Sequence, residues 1–356
     1  MADASGLFTP VTLGALELRN RIAMSAMTRS RGGPGDTPGN LQVDYYGQRA
    51  GAGLIVTEGV QPSPAGKGYC RTPGIYSPEQ TDGWARVTRA VHDRGGLIVA
   101  QIMHCGRVAS FLNKDDGSEI VAPSAIRAAA QIFTDARGMV DLDMPRALET
   151  DEVPLVIEEY RQAARNARAA GFDGVELHSS SGYLPMQFLS SNSNRRTDRY
   201  GGRVENRIRF AMEALDAMGS EIGFDRVGLR VCPGFSYNDI DDADPVETYG
   251  ALFDAASGLG LAYLHLVRRS FPKVDNLALV KQRWRGNLIL NNELTRDSAA
   301  EAIRDGVAEA VSFGRPFIGN PDLVERLRHD LPLAGYDPNR TYTPGAEGYT
   351  DYPAIT

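Results

Sequence analysis

Eight short apolar runs, separated by segments of helical character, restrict what this chain can fold into. The runs are 22–27, 53–57, 97–102, 172–177, 226–231, 261–266, 287–290 and 308–313. Helical patterns occupy 41–52, 79–94, 152–170, 205–218, 245–257, 296–305 and 321–328. Strands that alternate with helices through one chain of 356 residues predict a (β/α)8 TIM barrel. A doubly wound sheet is the runner-up, but no early Gly-x-Gly-x-x-Gly follows a strand. Residues 103–150 read as irregular, with short apolar pieces at 120–121 and 132–133. An insertion that long is a functional loop or cap. The expectation is one domain over 1–356, with 103–150 a capping insertion after strand 3.

Composition narrows the function classes. The formal net charge is -7 and Lys and Arg are dispersed, so no nucleic-acid partner is expected. Cys70, Cys105 and Cys232 are odd in number and widely spaced, which argues against a disulfide scaffold or a zinc knuckle. The first residues lack the regions of a signal peptide, and no apolar run approaches a membrane span. A cytoplasmic protein with a small-molecule substrate is expected.

In a barrel, chemistry gathers where strands end. Those ends carry Met27-Thr28, Glu58-Gly59, Gln101 with Met103-His104, His178 with Ser181 and Tyr183, Arg230, His265, Asn291-Asn292, and Gly314-Arg315. Donors dominate and carboxylates are few, so the site suits something oxygen-rich or anionic. His178 and Ser181 can hold an oxygen on which charge develops, and Tyr183 can deliver a proton. At the eighth strand end, Gly314 permits close backbone approach and Arg315 offers a fork for phosphate. Arg230 and Gln101, polar residues within apolar strands, suit the alternating donors and acceptors of a flavin edge.

These fragments together resemble the old yellow enzymes, which are FMN-dependent ene-reductases. The resemblance runs nearly end to end. It includes Ala52-Gly-Leu-Ile-Val-Thr-Glu-Gly59, His104-Cys-Gly-Arg107 and Gly171-Phe-Asp-Gly-Val-Glu-Leu-His178. Asn194-Arg-Arg-Thr-Asp-Arg-Tyr-Gly-Gly202 and Phe313-Gly-Arg-Pro-Phe-Ile-Gly-Asn-Pro-Asp-Leu323 continue it. It implies a barrel with non-covalent FMN and NADPH or NADH as reductant. By resemblance, Ala26, Met27 and Thr28 lie along the flavin. Gly59 and Gln101 touch its ring system, and Arg230 faces its pyrimidine edge. Gly314 and Arg315 hold the phosphate, helped by backbone around Asn291 and Asn292. His178, which also borders the cofactor, and Ser181 grip the substrate oxygen, while Tyr183 donates the proton. Tyr69, Met103, Phe235 and Tyr342 line the substrate pocket. The implied activity is reduction of the activated C=C bond of α,β-unsaturated carbonyl compounds, with net trans addition. No metal is implied, and the protein is expected as a monomer or homodimer.

The sequence departs from the family at several points. Ser181 stands where Asn or His is usual, Met103 where Trp is common, and Ser25-Ala26 where Ala-Pro is common. Glu293 follows Asn291-Asn292 in place of a Gly-rich phosphate turn. These changes fit a specialised biosynthetic flavoenzyme, and an oxidase, desaturase or alkene isomerase on the same barrel is the alternative. A metal-dependent hydrolase built on His104, His178 and His265 would need more carboxylates at the strand ends, where only Glu58 is a candidate.

Overall fold

The computed structural model describes residues 3–355. Eight parallel strands close into a barrel. They are β1 (Ile22–Met24), β2 (Leu54–Val60), β3 (Ile98–Ile102), β4 (Gly174–Ser179), β5 (Val227–Val231), β6 (Tyr263–Val267), β7 (Leu288–Asn291) and β8 (Ala310–Phe313). The barrel closes where β8 pairs with β1. Around it run α1 (Asn40–Gln48), α2 (Pro78–His92), α3 (Val153–Ala169), α4 (Arg209–Ile222), α5 (Pro245–Ala256), α6 (Asn276–Arg283), α7 (Arg296–Arg304) and α8 (Leu323–Arg328). The expected fold class is therefore the observed one.

Local chemistry sets the boundaries. Ser77 caps α2 by accepting from the Gln80 amide, with Pro78 in the first turn where it sacrifices no helical bond. A hairpin of Val11–Leu13 and Leu16–Leu18 packs its leucines against Ala23, Leu54, Val99, Tyr263 and Ile289. It thereby closes the barrel end opposite the site, and side chains fill the interior as in other barrels. Within residues 103–150, Gln131–Thr134 and Gly138–Asp141 form an antiparallel hairpin. A separate apolar cluster under it contains Met103, Cys105, Val108, Ile132, Leu142 and Tyr183.

Several boundaries differ from expectation. The first strand ends at Met24, so Ala26, Met27 and Thr28 lie in the loop beyond it. β2 runs on through Glu58 and Gly59 to Val60, and β4 takes in His178 and Ser179. The segment expected as one helix over 205–218 is a short turn, Val204–Arg207, followed by α4. The run at 321–328 is α8, preceded by a separate turn at Pro316–Gly319. α6 is not legible in the sequence because its four apolar residues, Leu277 to Val280, are consecutive and show no helical spacing. Its signal is Asp275, whose carboxylate accepts from the Ala278 amide as an N-cap.

The C-terminal tail is clasped to the first βα loop. Buried Arg29 donates to the Gly348 carbonyl at 2.6 Å, the Thr341 carbonyl at 3.2 Å and Tyr45 Oη at 2.9 Å. Arg31 donates to the carbonyls of Arg340, Thr341 and Glu347. Tyr349 stacks on Tyr45 with ring centroids 4.1 Å apart, and both arginines lie over the Tyr349 ring. Hydrogen bonds from a charged donor are strong, and their loss strands buried acceptors. Arg29→Met is expected to lower stability by about 3–4 kcal/mol. It should also open 340–349 to limited proteolysis. A urea midpoint equal to wild type would contradict the clasp.

Candidate active site

The floor of the site is a polar layer inside the barrel. Strand register creates it: Gln101 is level with Glu176, while His178, Arg230 and His265 are level across β4, β5 and β6. Gln101 Nε2 donates to Glu176 Oε1 at 2.6 Å. Glu176 Oε2 lies 2.8 Å from His265 Nδ1, and His265 Nε2 lies 2.8 Å from Ser312 Oγ. Arg230 Nη1 is 3.1 and 3.0 Å from the two ring nitrogens of His265, so it sits over the ring face. The same atom donates to Ser25 Oγ at 2.9 Å, and Nη2 donates to Asn291 Oδ1 at 3.3 Å.

Burial alone would raise the Glu176 pKa, but hydrogen bonds from His265 and Gln101 and the charge of Arg230 outweigh it and hold the carboxyl below its ordinary value. Burial, reinforced by Arg230, pushes His265 down. Glu176 is assigned as ionised and His265 as neutral. Arg230 already balances the one carboxylate, and a second buried cation would have no counter-charge.

One wall carries the groups suited to a substrate oxygen. His178, at the end of β4, places Nδ1 3.3 Å from Ser180 Oγ, and Ser180 Oγ is 3.4 Å from Ser181 Oγ. Burial pushes the His178 pKa down to about 3, with Arg230 adding to it, so the imidazole is neutral near pH 7. Ser181 has φ 58° and Gly182 φ 81°. These two left-handed residues turn the chain from β4 into the short helix Leu184–Leu189, and Tyr183 lies at its start. Asn238 Nδ2 ties down the turn by donating to the Ser181 carbonyl at 2.8 Å. Tyr183 Oη is 3.0 Å from Tyr69 Oη, and its ring centroid is 4.9 Å from that of His178. Burial first, and then the Tyr69 phenol, push Tyr183 well above 10, so it keeps its proton.

A cavity of about 340 Å³ opens beside this layer. Ala26, Met27, Arg230, Asn291, Asn292, Gly314 and Arg315 line it together. Arg315 is exposed at the start of the Pro316–Gly319 turn, free to meet a phosphate. Asn292 takes φ 97°, a backbone region that Asn enters more readily than most residues. Glu293 is turned to solvent with its side chain 81% exposed, 3.8 Å from Arg269, so it would not crowd an anion bound beside Arg315. Gly59 pairs with Gln101 across β2 and β3, and a Cβ there would collide with the Met103 thioether. Thr28 is half-buried just past Met27.

An arginine and an amide on a flat floor, with a glycine and an arginine at one end, fit FMN. Gln101 Oε1 has no hydrogen-bond partner among the described residues and is not sealed off, so it can meet a ring edge.

Tyr69 and Met103 join Tyr183 in one cluster. Phe235 does not. It stacks on Tyr237 at 5.5 Å, and Arg269 lies over its ring. Tyr342 is 58% exposed on the clasped tail. Sequence reasoning missed Glu176, Ser180 and Ser25, and gave His265 no role. The signal for Glu176 was its spacing of two from His178, which puts both on one face of β4. Among the described residues no group of three His, Cys, Asp or Glu side chains could hold a metal ion.

A closed parallel barrel with this floor and this eighth loop defines a flavin-binding oxidoreductase. The family model for NADH:flavin oxidoreductase / NADH oxidase matches residues 6–334. Rice (Oryza sativa subsp. japonica) 12-oxophytodienoate reductase 1 is 39% identical over 99% of this chain and 94% of its own length. A probable flavin mononucleotide-dependent alkene reductase of Leishmania infantum is 39% identical over 98% of this chain and 97% of its own. Morphinone reductase, solved in complex with tetrahydroNAD, superposes with a TM-score of 0.94 at 45% identity, covering 99% of this chain and 98% of its own. The old yellow enzyme homologue from Zymomonas mobilis gives 0.95 at 38% identity, covering 98% and 100%.

The chain belongs to this FMN-dependent family, the old yellow enzymes. It is an enzyme of the flavin-dependent ene-reductase class, with FMN as cofactor and a reduced nicotinamide as hydride donor. Its reaction is reduction of activated carbon–carbon double bonds.

Proposed function

We propose that this enzyme reduces the C=C bond of α,β-unsaturated carbonyl compounds, with His178 and Ser181 holding the carbonyl oxygen and Tyr183 delivering the proton. The observation that carries this reading is the wall itself. A neutral His178 and a protonated Tyr183 stand 4.9 Å apart between ring centroids, beside the cofactor floor. FMN, when bound, would supply the hydride for the β-carbon, with NADPH or NADH as the reductant.

The protein's part is positioning and proton movement. Ser180 donates to His178 Nδ1, which leaves the Nε2 proton to face the substrate oxygen. His178 and the Ser181 hydroxyl then stabilise the enolate-like charge that develops there. Tyr183 gives its proton to the α-carbon, and Tyr69 Oη–H donates to the phenolate left behind. Gln101, Arg230 and Thr28 hold the ring system, with Gly59, Ala26 and Met27 in contact. Arg315 and Gly314 hold the phosphate, with Asn291 and Asn292 alongside. Met103 and Tyr69 wall the pocket, and Phe235 and Tyr342 stand at its rim.

No helix of the described residues is long and apolar enough to cross a membrane. The proposed setting is cytoplasmic, with a small-molecule substrate, no nucleic-acid partner, and a monomer or homodimer. One domain spans 1–356, with 103–150 covering the substrate side.

An anaerobic absorbance titration tests the function. The flavin band should bleach with NADPH or NADH and return with a cyclic enone. Return with oxygen alone would favour an oxidase or desaturase instead.

Ser181 offers a second test. At φ 58° it holds a backbone conformation that Asn adopts more readily. Ser181→Asn is expected to be neutral or stabilising by a few tenths of a kcal/mol. It should also speed enone turnover by roughly ten-fold, since an amide adds a donor beside His178. Slower turnover with an unchanged fold would mean that Ser181 does not face the oxygen.

A further inference from the structure

Glu176 and His265 are fully buried under the cofactor floor, and neither has a part in the chemistry above. A carboxylate at that depth is costly unless its partners satisfy it. Here every partner also belongs to the floor. Glu176 Oε1 accepts from Gln101 Nε2 at 2.6 Å, and Oε2 meets His265 Nδ1 at 2.8 Å. An ionised carboxylate only accepts, so the Gln101 amide nitrogen must point down at it. Oε1 of Gln101 is then fixed as the atom presented to the cavity. The pyrimidine edge of a flavin carries one N–H between two carbonyls. An upward oxygen reads that N–H and disfavours either carbonyl. Arg230 lies over the ring of the same His265, and its charge acts on the carboxylate.

We propose that Glu176 is a positioning residue for FMN: through Gln101 it sets which ring atom is read, and through its charge it holds the reduction potential of the bound flavin down against Arg230. The inference rests on the proposed meeting of Gln101 and Arg230 with the pyrimidine edge. Glutamine at 176 would remove the charge, and it could offer either end of its amide to Gln101, leaving that side chain free to turn over.

The test uses FMN and N3-methyl-FMN, which lacks the ring N–H, on the deflavinated protein, together with the midpoint potential of the FMN-loaded forms. Wild type should bind FMN roughly ten-fold more tightly than the N-methyl analogue. Gln101→Ala should bind the two about equally, and Glu176→Gln should lose most of the discrimination while its FMN potential rises. An unchanged potential in folded, FMN-loaded Glu176→Gln would overturn the charge role. Equal binding of both flavins by wild type would overturn the orientation role. If Glu176→Gln does not fold, Glu176→Asp, which keeps the charge but draws back from Gln101, should lose the discrimination instead, and discrimination retained in either folded variant would overturn the orientation role. A Gln101→Ala protein that binds both flavins like wild type would instead show that the edge does not lie at Gln101, which defeats the site placement beneath the proposal.

Discussion

Tyr183→Phe should slow the reaction of reduced enzyme with a cyclic enone by roughly 10²–10⁴-fold and leave flavin reduction by nicotinamide near its wild-type rate. Only the first of these half-reactions needs a proton delivered to carbon. The substitution removes one oxygen from a buried pair. Tyr69 loses its 3.0 Å partner, so a small stability cost of about 1 kcal/mol accompanies the kinetic effect. Anaerobic stopped-flow measurement of each half separately decides the matter. Equal slowing of both would assign Tyr183 to packing, which its place in the cap cluster with Met103 and Cys105 would equally explain.

His178→Ala should cost the enone half-reaction roughly 10²–10³-fold, about 2.7–4 kcal/mol, the usual effect of removing one donor from a developing oxyanion. Its pH dependence carries a second signature. The folded-state pKa is depressed to about 3 from 6.5, so His178 stays neutral through the whole range from pH 5 to 8. The wild-type rate should therefore show no histidine limb near pH 6.5. Stability has the matching sign. Below pH 6.5 the unfolded chain takes up a proton that folded His178 refuses, so this residue costs stability progressively as pH falls toward 3. In His178→Ala that component should vanish. An acid limb near 6.5 that disappears with the substitution would contradict the neutral assignment.

The barrel was legible in the sequence because its strands are short, apolar runs with polar residues where they end. What blurred was the end itself. His178 and Gly59 read as lying beyond their strands, yet both pair within them. A strand of a filled barrel keeps polar residues inside wherever neighbouring strands offer partners, so polarity alone does not mark its end. The same effect hid Glu176. Flanked by Val175 and Leu177, it gave no sign of its partners, because Gln101 and His265 come from two other strands and meet it only through register. Ser180 was passed over for a comparable reason. Its contact with His178 Nδ1 is one that nothing in a Ser-Ser-Ser-Gly run announces, since any of the three hydroxyls could turn back to the ring. The phosphate end was easier, since Gly314 and Arg315 are adjacent in sequence and stay adjacent in space.

In the proposed mechanism the hydride comes from the barrel floor and the proton from the wall under the cap, so the two would enter opposite faces of the substrate. Its most direct test is the stereochemistry of one turnover. A cyclic enone bearing an α-methyl group would be reduced in D2O with NADPH or NADH, and the relative configuration of the new α-deuterium and β-hydrogen read by NMR. Trans addition is the predicted result. Cis addition, with deuterium entering on the hydride face, would contradict the placement of Tyr183 as the proton donor.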